Sequence, residues 1–280
     1  MATYQIRRIN NNNITIDGSS NAHLVSLTGT GIPPVKRILD GGTNFDGKID
    51  RGYILEPRRM VMTLFANAAT RSAMEDLRDT IADMFKPNSA EDLFSLRITK
   101  DNGDVRQIDC ALDGEMDLPL EVDRFAENKI VVPLIAANPI WYDPTEQNQQ
   151  VTITTSGQII NMNYAGTWFE YPRVQLRGAI TNPAIAFTMP DGGSETVSTT
   201  GSIPTGVSWL YYYTIGDKKA ADNGASQFDL LNDASIKALA RTVLAPPDEM
   251  LATQTCTISG SALDGNTQFT LLYHNRYIAL

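Results

Sequence analysis

The sequence predicts a mainly β protein built as two domains. Three observations carry this. Short segments rich in β-branched and aromatic residues recur along most of the chain, separated by Gly, Asn and Asp turn signals. Helical spacing is convincing at one place only, the stretch Ser72–Phe85. The length of 280 residues suits two domains. A two-proline segment near the middle, Asn138-Pro139-Ile140-Trp141-Tyr142-Asp143-Pro144, with a polar tail to Gln150, is the natural boundary. The expected organisation is an N-terminal barrel- or sandwich-like β domain over 1–140, a linker over 141–150 and a C-terminal β-sandwich over 151–280.

The elements of the first domain are expected as follows. Strands at Thr3–Ile9 and Ile14–Asp17 flank the run Asn10–Asn13, and Asp17-Gly18 closes a hairpin. A strand at His23–Leu27 leads into a Gly/Pro-rich loop, Thr28–Pro34. A long polar connection holding Gly41-Gly42 and Asp46-Gly47 follows. Arg59–Ala66 reads as a strand with Met60, Met62 and Leu64 on one side and Val61, Thr63 and Phe65 on the other. Ser72-Ala73-Met74-Glu75 has the form of a capping box. Met74, Leu77, Ile81, Met84 and Phe85 then share one helical face, and Lys86-Pro87-Asn88 stops the helix. Strands at Leu93–Thr99, Val105–Leu112 and Lys129–Ala136 complete the domain, with turns at Asp101-Asn102-Gly103 and Asp113-Gly114.

The second half is nearly all strand by pattern. The candidates are Val151–Thr155, Ile159–Tyr164, Arg173–Arg177, Ala184–Met189, Glu195–Ser198, Val207–Ile215, Gln227–Leu231, Thr253–Ser259 and Thr267–His274. Asn182-Pro183, Asp191-Gly192-Gly193, Asp222-Asn223-Gly224 and Asp264-Gly265-Asn266 supply turns, and Ser235–Leu244 is a candidate short helix.

Composition excludes several classes. The balance of 23 Lys+Arg against 32 Asp+Glu gives a net charge of −9, which opposes sequence-independent nucleic-acid binding. Cys110 and Cys256 are too few for a disulfide framework and form no CxxC pair. The longest apolar run, Ile130–Ala137, is interrupted by Pro133 and is too short for a membrane span, and the N-terminus lacks an apolar signal core. A soluble protein made in a reducing compartment is expected.

Candidate chemistry is thin. Gly42 to Lys48 fits GxxxxGK on paper, but Ile49 stands where Ser or Thr should hold Mg²⁺, and no helix start follows. Asn44, Asp46 and Asp50 lack the remaining ligands of a calcium loop. The only histidines, His23 and His274, have no partner at metal-ligand spacing. The carboxylates Glu115/Asp117, Glu121/Asp123 and Asp248/Glu249 are candidates for a glycosidase pair only if folding sets them across a cleft. Aromatics are more informative. Trp168, Trp209, Tyr211 and Tyr213 are the candidate carbohydrate or interface residues. Trp209, Tyr211 and Tyr213 alternate onto one strand face, with Leu210 and Tyr212 on the other, so core or subunit contact competes with sugar stacking. No catalytic, cofactor or metal site is expected.

The order of these features resembles the distal tail proteins of siphophages, the tail-tip and baseplate hub family. In the first half the resemblance rests on the Asp17-Gly18 hairpin, the loop through Arg51-Gly52, the strand Arg59–Ala66, the helix Ser72–Phe85, the hairpin Leu93–Leu112 and the exit Asn138–Tyr142. In the second half Gly166-Thr167, then Tyr171–Gly178 and Thr181-Asn182-Pro183-Ala184-Ile185, resembles the run that opens the family's galectin-like sandwich. Leu271–Ile278, ending in Arg276-Tyr277, resembles its closing strand. Ala245–Met250 departs from the family's Pro-Gly-x-Asn turn.

The resemblance implies a virion structural protein at the tail tip, made in the host cytoplasm. Its N-terminal domains would form a hexameric ring that joins the tail tube to hub or fibre proteins, while DNA passes through the channel without specific binding. Residues 1–60 hold 8 Lys+Arg against 5 Asp+Glu, a +3 balance that leaves −12 for the rest, and such asymmetry suits contacts between unlike patches of neighbouring subunits. The alternatives are a carbohydrate-binding module for host-surface adhesion and, further off, a glycan hydrolase. No membrane insertion is expected.

Overall fold

The structure is a computed structural model that describes residues 3–7, 13–16, 21–41, 48–87, 93–118, 127–213, 219–222, 225–226, 242–250 and 253–280. The chain is mainly β and divides into two compact units. One is Met1–Pro144 together with Ile278–Leu280; the other is Thr145–Tyr277.

The first unit holds β1 (Thr3–Arg7), β2 (Asn13–Ile16), β3 (Ala22–Thr28), β4 (Val35–Asp40), β5 (Ile49–Leu55), β6 (Arg58–Asn67), α1 (Arg71–Phe85), β7 (Phe94–Thr99), β8 (Val105–Leu112), β9 (Glu127–Ala136) and β10 (Trp141–Tyr142). Its main sheet runs β2-β1-β7-β8-β9-β6-β3, all antiparallel, with β10 against β8. Register explains which face is buried. Met60 lies opposite Leu134, Met62 opposite Val132 and Leu64 opposite Ile130, and all six side chains are out of water. The same face continues through Leu96 and Ile108 to Ile6. A period of two sends these residues inward together, as the sequence pattern required.

Helix α1 buries Met74, Ile81, Met84 and Phe85, and Phe85 meets Phe94 edge-to-face at 5.2 Å. Its cap differs from the expected box. Thr70, not Ser72, is the N-cap, and its Oγ1 accepts from Ala73 N at 3.2 Å. Glu75 is taken by Arg71 one turn back, at 3.1 Å. The helix starts earlier than the box implied, because Thr70 already satisfies the third amide.

A second correction concerns 35–55. The polar connection expected there contains the hairpin β4–β5, with Val35 opposite Leu55, Arg37 opposite Tyr53 and Asp40 opposite Ile49. A register shift between Arg37 and Leu39 breaks the period of two, so charged and apolar residues interleave on both faces and the alternation is masked. Trp141 and Tyr142, assigned to the linker by sequence, are strand residues: Trp141 is buried, and the Tyr142 hydroxyl donates to Asp109 at 2.8 Å and accepts from Gln107 Nε2 at 2.7 Å. Asp17-Gly18, Asn88 and residues 42–47 lie outside the described residues.

The second unit holds β11 (Gln147–Thr152), β12 (Gln158–Asn161), β13 (Arg173–Arg177), β14 (Ile180–Thr188), β15 (Ser194–Ser198), β16 (Ser202–Ile203), β17 (Ser208–Tyr212), β18 (Lys219–Asp222), β19 (Ala225–Ser226), β20 (Thr255–Ser261), β21 (Gln268–Tyr273) and β22 (Arg276–Tyr277). One sheet runs β11-β21-β13-β17-β18-β19; the other runs β12-β20-β14-β15, with β16 on β14. Their buried side chains form one cluster. Leu176 lies opposite both Trp209 and Phe269, and Val174 opposite both Tyr211 and Leu271. From the other sheet come Ile185, between Val197 and Ile258, and Phe187, opposite Cys256. This is sheet-on-sheet packing with alternate residues inward. The expected strand Gln227–Leu231 and residues 235–241 of the expected short helix lie outside the described residues; Leu244 bridges antiparallel to Glu170.

Candidate subunit interface

The hairpin β4–β5 is the most unusual surface in the first unit. Every residue of β4 is exposed, and β5 follows with only Gly52 and Leu55 partly covered. Yet the hairpin carries Val35, Ile38, Leu39, Ile49, Tyr53 and Ile54, with Leu39 at 50% and Ile54 at 49% exposure. Strands bury apolar residues on at least one face in a stable monomer, and an apolar element with neither face covered marks a contact with another molecule. We call this hairpin the arm. Four of its charged residues pair within it, Arg37 with Asp50 at 3.0 Å and Arg51 with Asp40 at 3.2 Å, while Arg37 lies 5.5 Å from the Tyr53 ring centroid. These exposed pairs lie across the backbone ladder and add little stability.

The root of the arm is built differently. Glu56 N donates to Pro34 O at 2.9 Å and closes the base. Arg58, the first residue of β6, is fully buried. Its Nε donates to Pro139 O at 2.8 Å, Nη1 to Gly29 O at 2.8 Å and also to Gly31 O, and Nη2 to Ile278 O at 2.8 Å. The guanidinium carbon stands 5.9 Å from the Trp141 ring centroid. Burial pushes the guanidinium down to about 10, so it keeps its charge at neutral pH, solvated by carbonyl dipoles. Gly29 adopts φ +81°, and a Cβ there would stand 2.2 Å from Arg59 O, so the turn accepts glycine alone. Leu280 N donates to Thr30 O at 3.1 Å, a second bond from the returning segment to this turn.

The aromatics singled out by sequence divide. Trp209, Tyr211 and Tyr213 face the core as the alternation required, and Leu210 and Tyr212 face outward. The Tyr211 hydroxyl bonds to Thr199 Oγ1 at 2.9 Å, and burial raises the pKa of both the Tyr211 and Tyr213 hydroxyls. These three rings have no free face for a sugar or a second subunit. Trp168 is half-buried, edge-to-face with Phe169 at 5.6 Å.

The remaining candidates are structural. His23 packs against Phe65 with ring centroids 5.0 Å apart. Cys110 and Cys256 are buried free thiols whose pKa burial raises. Glu115 and Asp117 are exposed beside β9, and Asp248 and Glu249 are exposed on a single 3₁₀ turn, Pro247–Glu249. Glu121, Asp123, Asn44 and Asp46 lie outside the described residues. Among the described residues no group of three His, Cys, Asp or Glu is placed to hold a metal, and no helix is long and apolar enough to cross a membrane. A cavity of about 230 Å³ in the second unit is lined by Met162, Tyr164, Ala245, Pro247, Met250, Thr253 and Gln254. Gln254 Nε2 donates to Val243 O at 2.7 Å and its Oε1 accepts from Ala245 N at 3.1 Å, and among the described residues no carboxylate lines the cavity.

Solved structures share this architecture over the whole chain. The Dit (gp 19.1) protein of phage SPP1, described as a paradigm of the hub adsorption apparatus in phages that infect Gram-positive bacteria, superposes with a TM-score of 0.65. The two are 12% identical, and the match covers 98% of each chain. A chain of the phage P2 baseplate, in its activated conformation with Ca, matches with a TM-score of 0.52 at 9% identity, over 97% of this chain and 98% of that one. No family model and no curated protein matches the sequence. The class of fold is therefore that of phage tail hub proteins. More particularly, it is the fold of SPP1 Dit along its full length.

Proposed function

We propose that the protein is a structural component of a phage tail tip, assembling through its first unit into a closed ring. The carrying observation is the arm: an apolar hairpin with neither face covered, on a fold shared with tail hub proteins. Its occupant is a second copy of the chain. A ring closes by heterologous contacts, in which one patch meets a different patch. The outward face of β6 and β9 supplies such a patch, with Val61 and Val131 each 40% exposed and Pro133 and Ile135 half-buried. Six copies is the stoichiometry we favour, with the tail tube on one side and hub or fibre proteins on the other. DNA passes through the lumen without specific contact, which the net charge of −9 favours. The role requires no catalysis. A glycan reading would rest on Trp168, because the other three candidate rings are in the core. Purified protein examined by negative-stain microscopy and native mass spectrometry tests the proposal. Six-membered rings with a central hole are expected; a strict monomer at high concentration, in the presence of tail-tube protein, refutes it.

A further inference from the structure

We infer that Arg58 is a clasp through which the segment Ile278–Leu280 fixes the root of the arm, so that seating of that segment and the stance of the arm are one equilibrium. The guanidinium has no carboxylate among its bonds. It is held by carbonyls from three separate stretches of chain: Gly29 and Gly31, Pro139, and Ile278. Both connections to the arm start at this point, one through the 29–31 turn and the other through Arg58 itself, and the rung from Glu56 to Pro34 closes them.

Geometry gives the clasp its specificity. A planar guanidinium presents N–H groups in a fixed fork, and here donors from Nε, Nη1 and Nη2 serve acceptors in different directions. A lysine ammonium would offer three donors from one point and could not span them. When Ile278–Leu280 lifts away, Nη2 loses its acceptor and the Thr30 carbonyl loses the Leu280 amide. A buried cation with an unmet donor must then admit water or move. Either response loosens the 29–31 turn, where the arm begins. The segment follows the second unit in the chain yet belongs to the first, so the root is completed by residues from beyond the intervening unit.

Amide hydrogen exchange on the full chain tests this, with peptides covering 29–35 and 54–60 and the β13–β21 pair as control. The variants are deletion of 278–280, Leu280→Pro, which removes the amide donor and the leucine side chain but keeps the Ile278 carbonyl, Arg58→Lys, and Arg58→Lys combined with the deletion. Deletion is expected to speed exchange at the root by about tenfold or more, the scale of a bond to a charged group, with the control unchanged. Arg58→Lys should do the same, and the combined variant should add less than about threefold to either, because both break one unit. Leu280→Pro should give a smaller effect of the same kind. Unchanged root exchange after deletion overturns the clasp, as do effects that simply multiply in the combined variant. If Arg58→Lys does not fold, deletion and Leu280→Pro still decide the matter. The further step, that a loose root weakens assembly, rests on the arm being the subunit contact. Exchange at the root is read at a dilution at which the protein is monomeric, so the two can fail separately.

Discussion

Replacing Leu39 and Ile54 together by serine should abolish assembly and leave the monomer intact. The magnitude follows from exposure. Leu39 is 50% and Ile54 49% exposed, so about half of each side chain is available for burial in a contact. Full burial of a Leu or Ile side chain gives roughly 1.5–3 kcal/mol, so the exposed half gives about 0.8–1.5 each and the pair about 1.5–3 per contact. That is roughly a ten- to hundredfold weaker association at each contact, repeated around a closed ring. Neither residue contributes to the buried core of the first unit, so folding stability should stay within about 0.5 kcal/mol of the parent. Sedimentation velocity across a concentration series reads the first quantity, and thermal denaturation of the monomeric fraction reads the second. A variant that forms rings as readily as the parent refutes the arm as the subunit contact. A variant with a melting point many degrees lower refutes the premise that the arm is unpartnered within its own chain.

Further perturbations test the interior. Among the described residues the buried Tyr213 hydroxyl has no partner, so Tyr213→Phe should be neutral or stabilising. Tyr211→Phe removes the bond to Thr199 and should cost about 1 kcal/mol, and urea denaturation separates the two signs. Thr70→Ala should destabilise by about 0.5–2 kcal/mol through loss of the helix cap, whereas Ser72→Ala should do nothing measurable; the reverse result would restore the box read from sequence. Burial raises the thiol pKa of Cys110 and Cys256 above the unfolded value. At alkaline pH the unfolded state therefore releases protons that the folded state retains. Stability should fall as pH rises above about 9, by roughly 1.4 kcal/mol per thiol per unit until the folded thiols themselves titrate. In parallel, both thiols should resist a thiol reagent at pH 8 until denaturant is added. Prompt modification of the native protein would contradict their burial.

Legibility in the sequence tracked the locality of the interaction. The period of two in Arg59–Ala66 announced the inward face of β6, and the spacing of Met74, Ile81, Met84 and Phe85 announced the buried side of α1. Trp209, Tyr211 and Tyr213 announced a strand face, and the sheet opposite made it core. The helix start misled because Ser72 and Glu75 carry the right chemistry in the right spacing, and only the competing Thr70 and Arg71 decide otherwise. The arm was hidden by its exposure, since a hairpin with neither face buried in its own chain is under no pressure to alternate. Its bulge after Arg37 removed what periodicity remained. Arg58 was illegible for a different reason: its acceptors are main-chain atoms, which every residue type possesses.

Side-chain substitutions at residues 31, 139 and 278 leave the carbonyls that receive the guanidinium in place, so those codons are free to drift as far as the backbone path allows. Selection on the root can then act at few positions: the arginine itself and the glycine at residue 29, whose neighbour Arg59 O excludes a methyl group. A root specified so sparsely can persist while the sequence around it turns over almost completely.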